Sequence, residues 1–171
     1  MSGRQSRQAM TRALSMLTVA LVSVVDMASA QDPASAAAPY CADLQQVVAL
    51  AITSGKFASI TGQPREGNFL DTSLPLTGWK NCSLYGRATY TCDSNEFKTP
   101  GEATQAQAVA LEQIKSCLGE QWAEAEDRSS LGYRVLHTKA GPVSITLSTD
   151  ETDRHGHVVR IIIFVRGSRA R

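Results

Sequence analysis

The sequence has few of the side chains on which most catalytic sites depend. It contains three histidines, only 6% aromatic residues, and neither the G-x-S-x-G signature of serine hydrolases nor the H-E-x-x-H signature of zinc proteases. All four cysteines can pair, so no thiolate nucleophile is expected. These absences argue against covalent catalysis. We therefore expect a protein without a cofactor, and a non-enzymatic role is favoured over an enzymatic one.

The chain also lacks an excess of charge of either sign. Its 17 basic and 16 acidic residues give a net charge of +1. Removal of the first thirty residues takes away three arginines and one aspartate, which leaves 14 basic and 15 acidic residues and a net charge of −1. Nucleic acids and anionic membranes favour a strongly basic face, so neither is expected as a partner. One basic cluster lies near the C-terminus and consists of Arg160, Arg166, Arg169 and Arg171. It predicts a solvated strand edge followed by a frayed tail over 168–171.

No apolar run is long enough to span a bilayer, which needs about 20 residues. The longest begins at Leu14 and ends at Val25, and three arginines precede it. The small residues Ala28, Ser29 and Ala30 follow as an A-x-A cleavage site. This order is typical of a signal peptide over 1–30. We expect cleavage near Ala30 and a mature protein in the periplasm or outside the cell.

Four cysteines in an exported chain predict two disulfides. A hairpin with a three-residue loop at Gly86–Ala88 would place Cys82 opposite Cys92. Opposed residues on antiparallel strands have Cα atoms about 4.5–5.5 Å apart, which suits a disulfide. The spacing therefore favours a Cys82–Cys92 bond and leaves Cys41 to pair with Cys117, although four cysteines permit three connectivities.

Several changes of periodicity divide the first half of the mature chain. The Ala/Pro/Ser segment 31–39 predicts a flexible spacer before an amphipathic helix over Ala42 to Ser54, with Gly55 as its stop. Repeated glycine and proline between Lys56 and Gly78 predict a loop-rich stretch with one or two strands. The alternation from Asn81 to Asp93 indicates a half-buried hairpin.

The second half begins with a capping box. Thr99, Pro100 and Glu102 occupy the N-cap, N1 and N3 positions at the start of a predicted helix. The spacing of the apolar residues extends this helix as far as Trp122. Three strands follow, over Tyr133 to Thr138, Pro142 to Thr149 and His157 to Arg166. The sequence thus predicts a single α+β domain over 40–167, with two helices on one face of an antiparallel sheet of about five to six strands.

Two features of the chain resemble those of known groups of proteins. The helix-sheet-helix-sheet order resembles that of type III secretion chaperone-like domains. The pattern formed by Trp79, Cys82, Tyr90-Thr91-Cys92 and Cys117-Leu118 resembles one found in small exported bacterial proteins of uncharacterised function. This second resemblance covers about Cys41 to Val165, and it implies no catalytic residues.

Two small groups of residues are candidate sites. Tyr85 and Arg87 lie at the tip of the predicted hairpin, with the parity opposite to the apolar set, so they are candidate contact residues. His155 and His157 stand two residues apart and could chelate one ion from the same face of a strand. A solvated turn between the flanking strands is the favoured interpretation, because Asp, Gly and His tolerate turn geometry. We expect no tight metal site.

The leading interpretation is a binding module of the cell envelope, with another envelope protein as its partner. A hydrolase that acts on envelope polymers through loop carboxylates, with Glu66, Asp71 and Asp93 as candidates, is the first alternative. A metal-binding protein is the second. An acidic cleft joining the three carboxylates would favour the hydrolase, whereas an exposed apolar patch without a cleft would favour the binding module.

Overall fold

The computed structural model describes residues 33–53, 56–125, 132–139 and 141–166. The predicted signal peptide, its cleavage site, the helix stop at Gly55 and the tail at 168–171 lie outside the described residues. The helices and strands follow one another in this order: α1 (Pro33–Ala51), β1 (Thr61–Pro64), β2 (Phe69–Thr72), β3 (Lys80–Tyr85), β4 (Thr89–Asp93), α2 (Pro100–Leu118), β5 (Trp122–Glu124), β6 (Arg134–Thr138), β7 (Val143–Glu151) and β8 (His157–Val165).

The strands form one antiparallel sheet in the order β1-β2-β3-β4-β8-β7-β6-β5. Each helix is followed by a meander of four strands, and the two meanders join where β4 pairs with β8. The molecule therefore contains the same element order twice, although its sequence shows no repeat. The α+β class, the two helices and the antiparallel sheet agree with the sequence prediction.

The prediction of five to six strands is wrong, because the sheet has eight. Both β1 and β2 form, which is the upper end of the one or two strands expected in this stretch, and each has only four residues, too few to show a clear periodicity. Trp122 belongs to β5 and not to an extended α2. The helix ends because Gly119 adopts a φ of 73°, which residues with a Cβ rarely do, and its amide donates to the Lys115 carbonyl at 2.9 Å.

Helix α1 begins at Pro33, so it includes most of the segment predicted to be a flexible spacer. Alanine is the strongest helix former, and Pro33 stands in the first turn, where proline is well tolerated. The alanine-rich composition therefore permits a helix as well as a linker, even though Pro39 lies inside the helix and lacks an amide donor there. The predicted start of α2 is confirmed. Thr99 Oγ1 accepts from the Glu102 amide at 3.2 Å, and the Glu102 carboxylate accepts from the Thr99 amide at 3.1 Å.

The hydrophobic core lies between the two helices and one face of the sheet. Tyr90 is at its centre, where its hydroxyl donates to the Leu74 carbonyl at 2.8 Å. Burial raises the pKa of Tyr90 above its ordinary value. The fully buried side chains around it come from both helices, from the 57–76 segment and from the central strands: Leu44, Phe57, Leu76, Leu84, Leu111, Ile114, Leu136, Ile145, Leu147, Ile161 and Ile163.

Both predicted disulfides are confirmed. Cys82 and Cys92 join β3 to β4 within the hairpin, with Cα atoms 4.1 Å apart. Cys41 and Cys117 join α1 to α2, with Cα atoms 5.1 Å apart. The second bond ties together the helices that begin the two halves of the fold, 76 residues apart in sequence.

Candidate functional site

The face of the sheet opposite the helices, which we call the open face, carries the alternate residues of each strand. In β8, Val159, Ile161 and Ile163 are buried on the helix side, and the intervening Arg160 and Ile162 lie on the open face. The strand register extends these rows across the sheet, so the neighbours of Arg160 and Ile162 on β4 are Asp93 and Thr91.

A cavity of about 760 Å³ lies on the open face over β2, β3, β4 and β8, with the β1–β2 turn at its side. Its volume is within the range of about 300–1,000 Å³ typical of small-molecule sites. The residues that line it combine aromatic, hydroxyl and charged side chains: Arg65, Glu66, Gly67, Phe69, Asn81, Ser83, Tyr85, Thr89, Thr91, Asp93, Arg160 and Ile162.

The strand register arranges this lining in three parallel rows. The first row runs Phe69, Tyr85, Thr89 across β2, β3 and β4. The second row runs Ser83, Thr91, Ile162 across β3, β4 and β8. The third row pairs Asp93 of β4 with Arg160 of β8. Polarity therefore increases along the strands, from an aromatic end to a charged end. A ligand that is apolar at one end and polar at the other fits this gradient.

The aromatic end consists of Phe69 and Tyr85. Their ring centroids are 5.3 Å apart and their planes meet at 61°, an edge-to-face arrangement. The two residues are 41% and 48% exposed, unlike most aromatic pairs, which are buried. Their uncovered ring surface is available to a ligand.

The charged end is organised around Arg160. Its Nε donates to Asp93 Oδ1 at 2.7 Å, and its Nη1 lies 2.9 Å from Asp150 Oδ2. The hydrogen bond to Asp93 raises the pKa of Arg160 above its ordinary value, and both carboxylates add to this effect through their charge. The guanidinium is thus held in place by two strands and is already neutralised, so it is poorly suited to bind an anion.

Hydroxyl groups occupy the middle of the cavity floor. Ser83 is buried, and the buried Thr91 Oγ1 has no hydrogen-bond partner in the part of the chain that the structure describes. A buried polar atom without a partner costs about 1–3 kcal/mol. Among the described residues three side-chain oxygens are in this state, and Thr91 Oγ1 is the one of them that belongs to the cavity floor, the others being Tyr40 Oη and Thr138 Oγ1.

The structure brings one of the two predicted contact residues into the cavity. Tyr85 lines it, whereas Arg87 lies exposed in the hairpin turn and does not. Arg160, which the sequence predicted at a solvated strand edge, is instead on the cavity floor. The sequence did contain a sign that Arg160 is special, because it is the one charged residue after His157 in the apolar strand β8. Only the strand register shows which residues on the neighbouring strands lie next to it.

The two histidines proposed as metal ligands do not share a strand. His155 lies in the β7–β8 turn with a φ of 61°, and its Nδ1 is 3.1 Å from Glu151 Oε1. His157 is the first residue of β8. The condition for joint chelation, both side chains on the same face of one strand, is therefore not met, and His155 lies in a turn, which is the alternative that the sequence favoured. Within the described ranges, no group of three or more His, Cys, Asp or Glu side chains is placed to hold a metal ion.

The three carboxylates proposed for a hydrolase do gather at this cavity. Glu66 and Asp93 line it, and Asp71 lies on the same face beside Ser83. Asp71 accepts from the Arg65 guanidinium and Asp93 from that of Arg160. A carboxylate held by a guanidinium acts as an acceptor and is not free to deliver a proton to a substrate. The three carboxylates are thus close together, as expected for a hydrolase, but two of them are held by arginines and do not supply a proton donor.

A second cavity, of about 580 Å³, lies between α2 and the segment that follows β4. Trp79, Phe97 and Val109 contribute its apolar surface. Its carboxylate, Glu102, already caps α2. This cavity lacks the ion-paired groups and the aromatic pair of the open face, so the open-face cavity is the candidate site.

Comparisons with protein-family models, curated proteins and solved structures give no match for this chain. The resemblances to type III secretion chaperone-like domains and to small exported bacterial proteins therefore stay predictions. The function of the protein has to be inferred from the geometry and chemistry of the open-face cavity.

Proposed function

We propose that this protein is an exported, disulfide-stabilised binding module of the bacterial cell envelope, and that its partner docks on the open-face cavity. One observation carries the proposal. The cavity combines an exposed aromatic pair, Phe69 and Tyr85, with the neutralised Arg160 at the opposite end. Exposed aromatic residues dominate binding energy at interfaces, and fixed ion pairs orient a partner.

A binding role fits these side chains better than hydrolysis. Catalysis of glycoside cleavage needs a protonated acid facing a free carboxylate across the scissile bond. Here Asp71 and Asp93 are both engaged by arginines, which leaves Glu66 in the β1–β2 turn as the remaining carboxylate in the cavity lining. One carboxylate does not supply both roles.

Export is supported by the two disulfides, which persist in oxidising compartments. None of the helices among the described residues combines the length and the apolar character needed to cross a membrane. We predict that the mature N-terminus is Gln31, because signal peptidase cleaves after the A-x-A motif that ends at Ala30. Intact mass of the protein from its native host tests this. A chain that retains Met1 in the cytosolic fraction would contradict export.

We predict that Tyr85→Ala reduces the amount of partner captured from a periplasmic extract at least about fivefold, because truncating an aromatic anchor typically costs more than 1 kcal/mol. The matched control is Tyr133→Ala, since Tyr133 is 42% exposed and does not line the cavity. Stoichiometric capture that is equal for both variants would rule out the open-face cavity as the docking surface.

A further inference from the structure

We infer that the open-face cavity binds an organic cation, an ammonium or guanidinium group carried on an apolar stem. The inference rests on the proposed function and names the chemistry that the site selects. Such a group is available from a lysine or arginine side chain of a partner polypeptide or from a free polyamine, and the cavity meets the same chemistry in each case.

The charge of the cavity favours a cation. Two guanidinium groups lie in or beside the cavity, and each is bonded to at least one carboxylate. The charged residues that line the cavity balance, with Arg65 and Arg160 against Glu66 and Asp93, and Asp71 and Asp150 pair with the same two arginines from outside the lining. Neither arginine is therefore free to attract an anion, and one carboxylate of the lining is left without a guanidinium.

Glu66 is placed to receive the cation. It lies in the β1–β2 turn, three residues before Phe69, and none of the ion pairs among the described residues involves it. The other carboxylates at the cavity are used by its own arginines. Glu66 is therefore the carboxylate left to pair with an incoming charge.

The aromatic pair offers a second attraction for the same group. A cation within about 6 Å of a ring centroid is attracted by the negative face of the ring, and the attraction reaches about 2 kcal/mol where water is excluded. Phe69 and Tyr85 present such faces at the end of the cavity away from Arg160. Arg65 lies beside Phe69, but its guanidinium is paired with Asp71.

The test is calorimetric titration of the protein, produced from its complete coding sequence, with three probes of similar size: n-butylguanidinium, 1-butanol and butyrate. We expect the cation to bind at least about tenfold more tightly than the alcohol and butyrate to bind most weakly. Raising the salt from about 50 to 500 mM should weaken the cation severalfold, because charges near the surface are screened. Equal binding of cation and alcohol overturns the inference, as does tighter binding of butyrate.

Two variants locate the site. Glu66→Gln and Tyr85→Ala should each weaken butylguanidinium binding at least about fivefold, and Tyr85→Phe should retain most of it because phenylalanine keeps the ring face. Glu120→Gln, at an exposed carboxylate in the turn between α2 and β5, and Tyr133→Ala are the matched controls. All are surface changes that should leave the melting temperature within about 2 °C. Unchanged binding in Glu66→Gln and Tyr85→Ala would overturn the inference.

The source of the cation is decided by two further ligands. A capped Gly-Arg-Gly peptide that binds more tightly than butylguanidinium indicates a polypeptide partner, whereas tighter binding of spermidine indicates a free polyamine. The outcomes also separate the two proposals. Tyr85-dependent capture of a partner without cation binding refutes the ligand class alone, whereas capture that ignores Tyr85 refutes the docking surface itself.

Discussion

Replacing Cys41 and Cys117 with alanine should lower the free energy of unfolding by about 4 kcal/mol and loosen α1 first. The bond closes a loop with a sequence separation of 76, and the entropy that a crosslink removes from the unfolded chain grows with loop length. The 10-residue separation of Cys82 and Cys92 predicts a smaller entropic contribution, of about 3 kcal/mol. Urea unfolding of the oxidised proteins measures the first quantity.

Hydrogen exchange provides the sharper readout. Helix α1 packs on α2 and β8, and the Cys41–Cys117 bond is its covalent attachment to α2. Without the bond, the amides of α1 should lose protection before those of β7 and β8, since local opening requires only the contacts of that element to break. The control is the Cys82/Cys92 double alanine variant, in which α1 should remain protected at a level close to that of the sheet. The expectation fails if α1 and the sheet exchange together in both variants.

Ile163→Ala should cost about 3–4 kcal/mol of stability, because Ile163 is fully buried under the helices and its truncation leaves a cavity that the core cannot fill. The adjacent Ile162 is the matched control, since it differs by one position in β8 and lies on the open face. Ile162→Ala should cost about 1 kcal/mol and should also weaken binding at the cavity, whose floor it forms. Urea denaturation tests the ranking of the two variants. A larger loss for Ile162→Ala would mean that the buried face of the sheet has been assigned wrongly.

The binding proposal and these stability predictions concern opposite faces of one sheet. The helix side holds the apolar residues that stabilise the fold, and substitutions there act on the free energy of unfolding. The open face carries the exposed Phe69 and Tyr85, whose substitution should act on binding with small effects on stability. Measuring both quantities for each variant therefore separates the role of a residue in the fold from its role at the site.

Features that depend on neighbours along the chain could be predicted from the amino-acid sequence. The capping box at Thr99 and Glu102 marks the start of α2, because its hydrogen bonds span three residues. The three-residue turn after Tyr85 sets the hairpin register, and this register brings Cys82 to Cys92. The remaining pair of cysteines then followed by elimination. The strand β7 was recognisable because its polar and apolar residues alternate, as expected where successive side chains face opposite sides of a strand. The strand β8 was recognisable from its nearly continuous apolar run.

Which strands lie side by side depends on contacts between distant segments, and the sequence did not reveal it. β4 and β8 are far apart in sequence, and their pairing brings Asp93 to Arg160 and completes the cavity floor. The strand β5 was not recognised, and the segment that forms β1 and β2 was expected to hold one or two strands without their positions. Backbone hydrogen bonds to neighbouring strands define these short strands, and their sequences carry little periodicity. A site built from rows across a sheet is a product of register between distant segments, and local sequence contains no measure of that register.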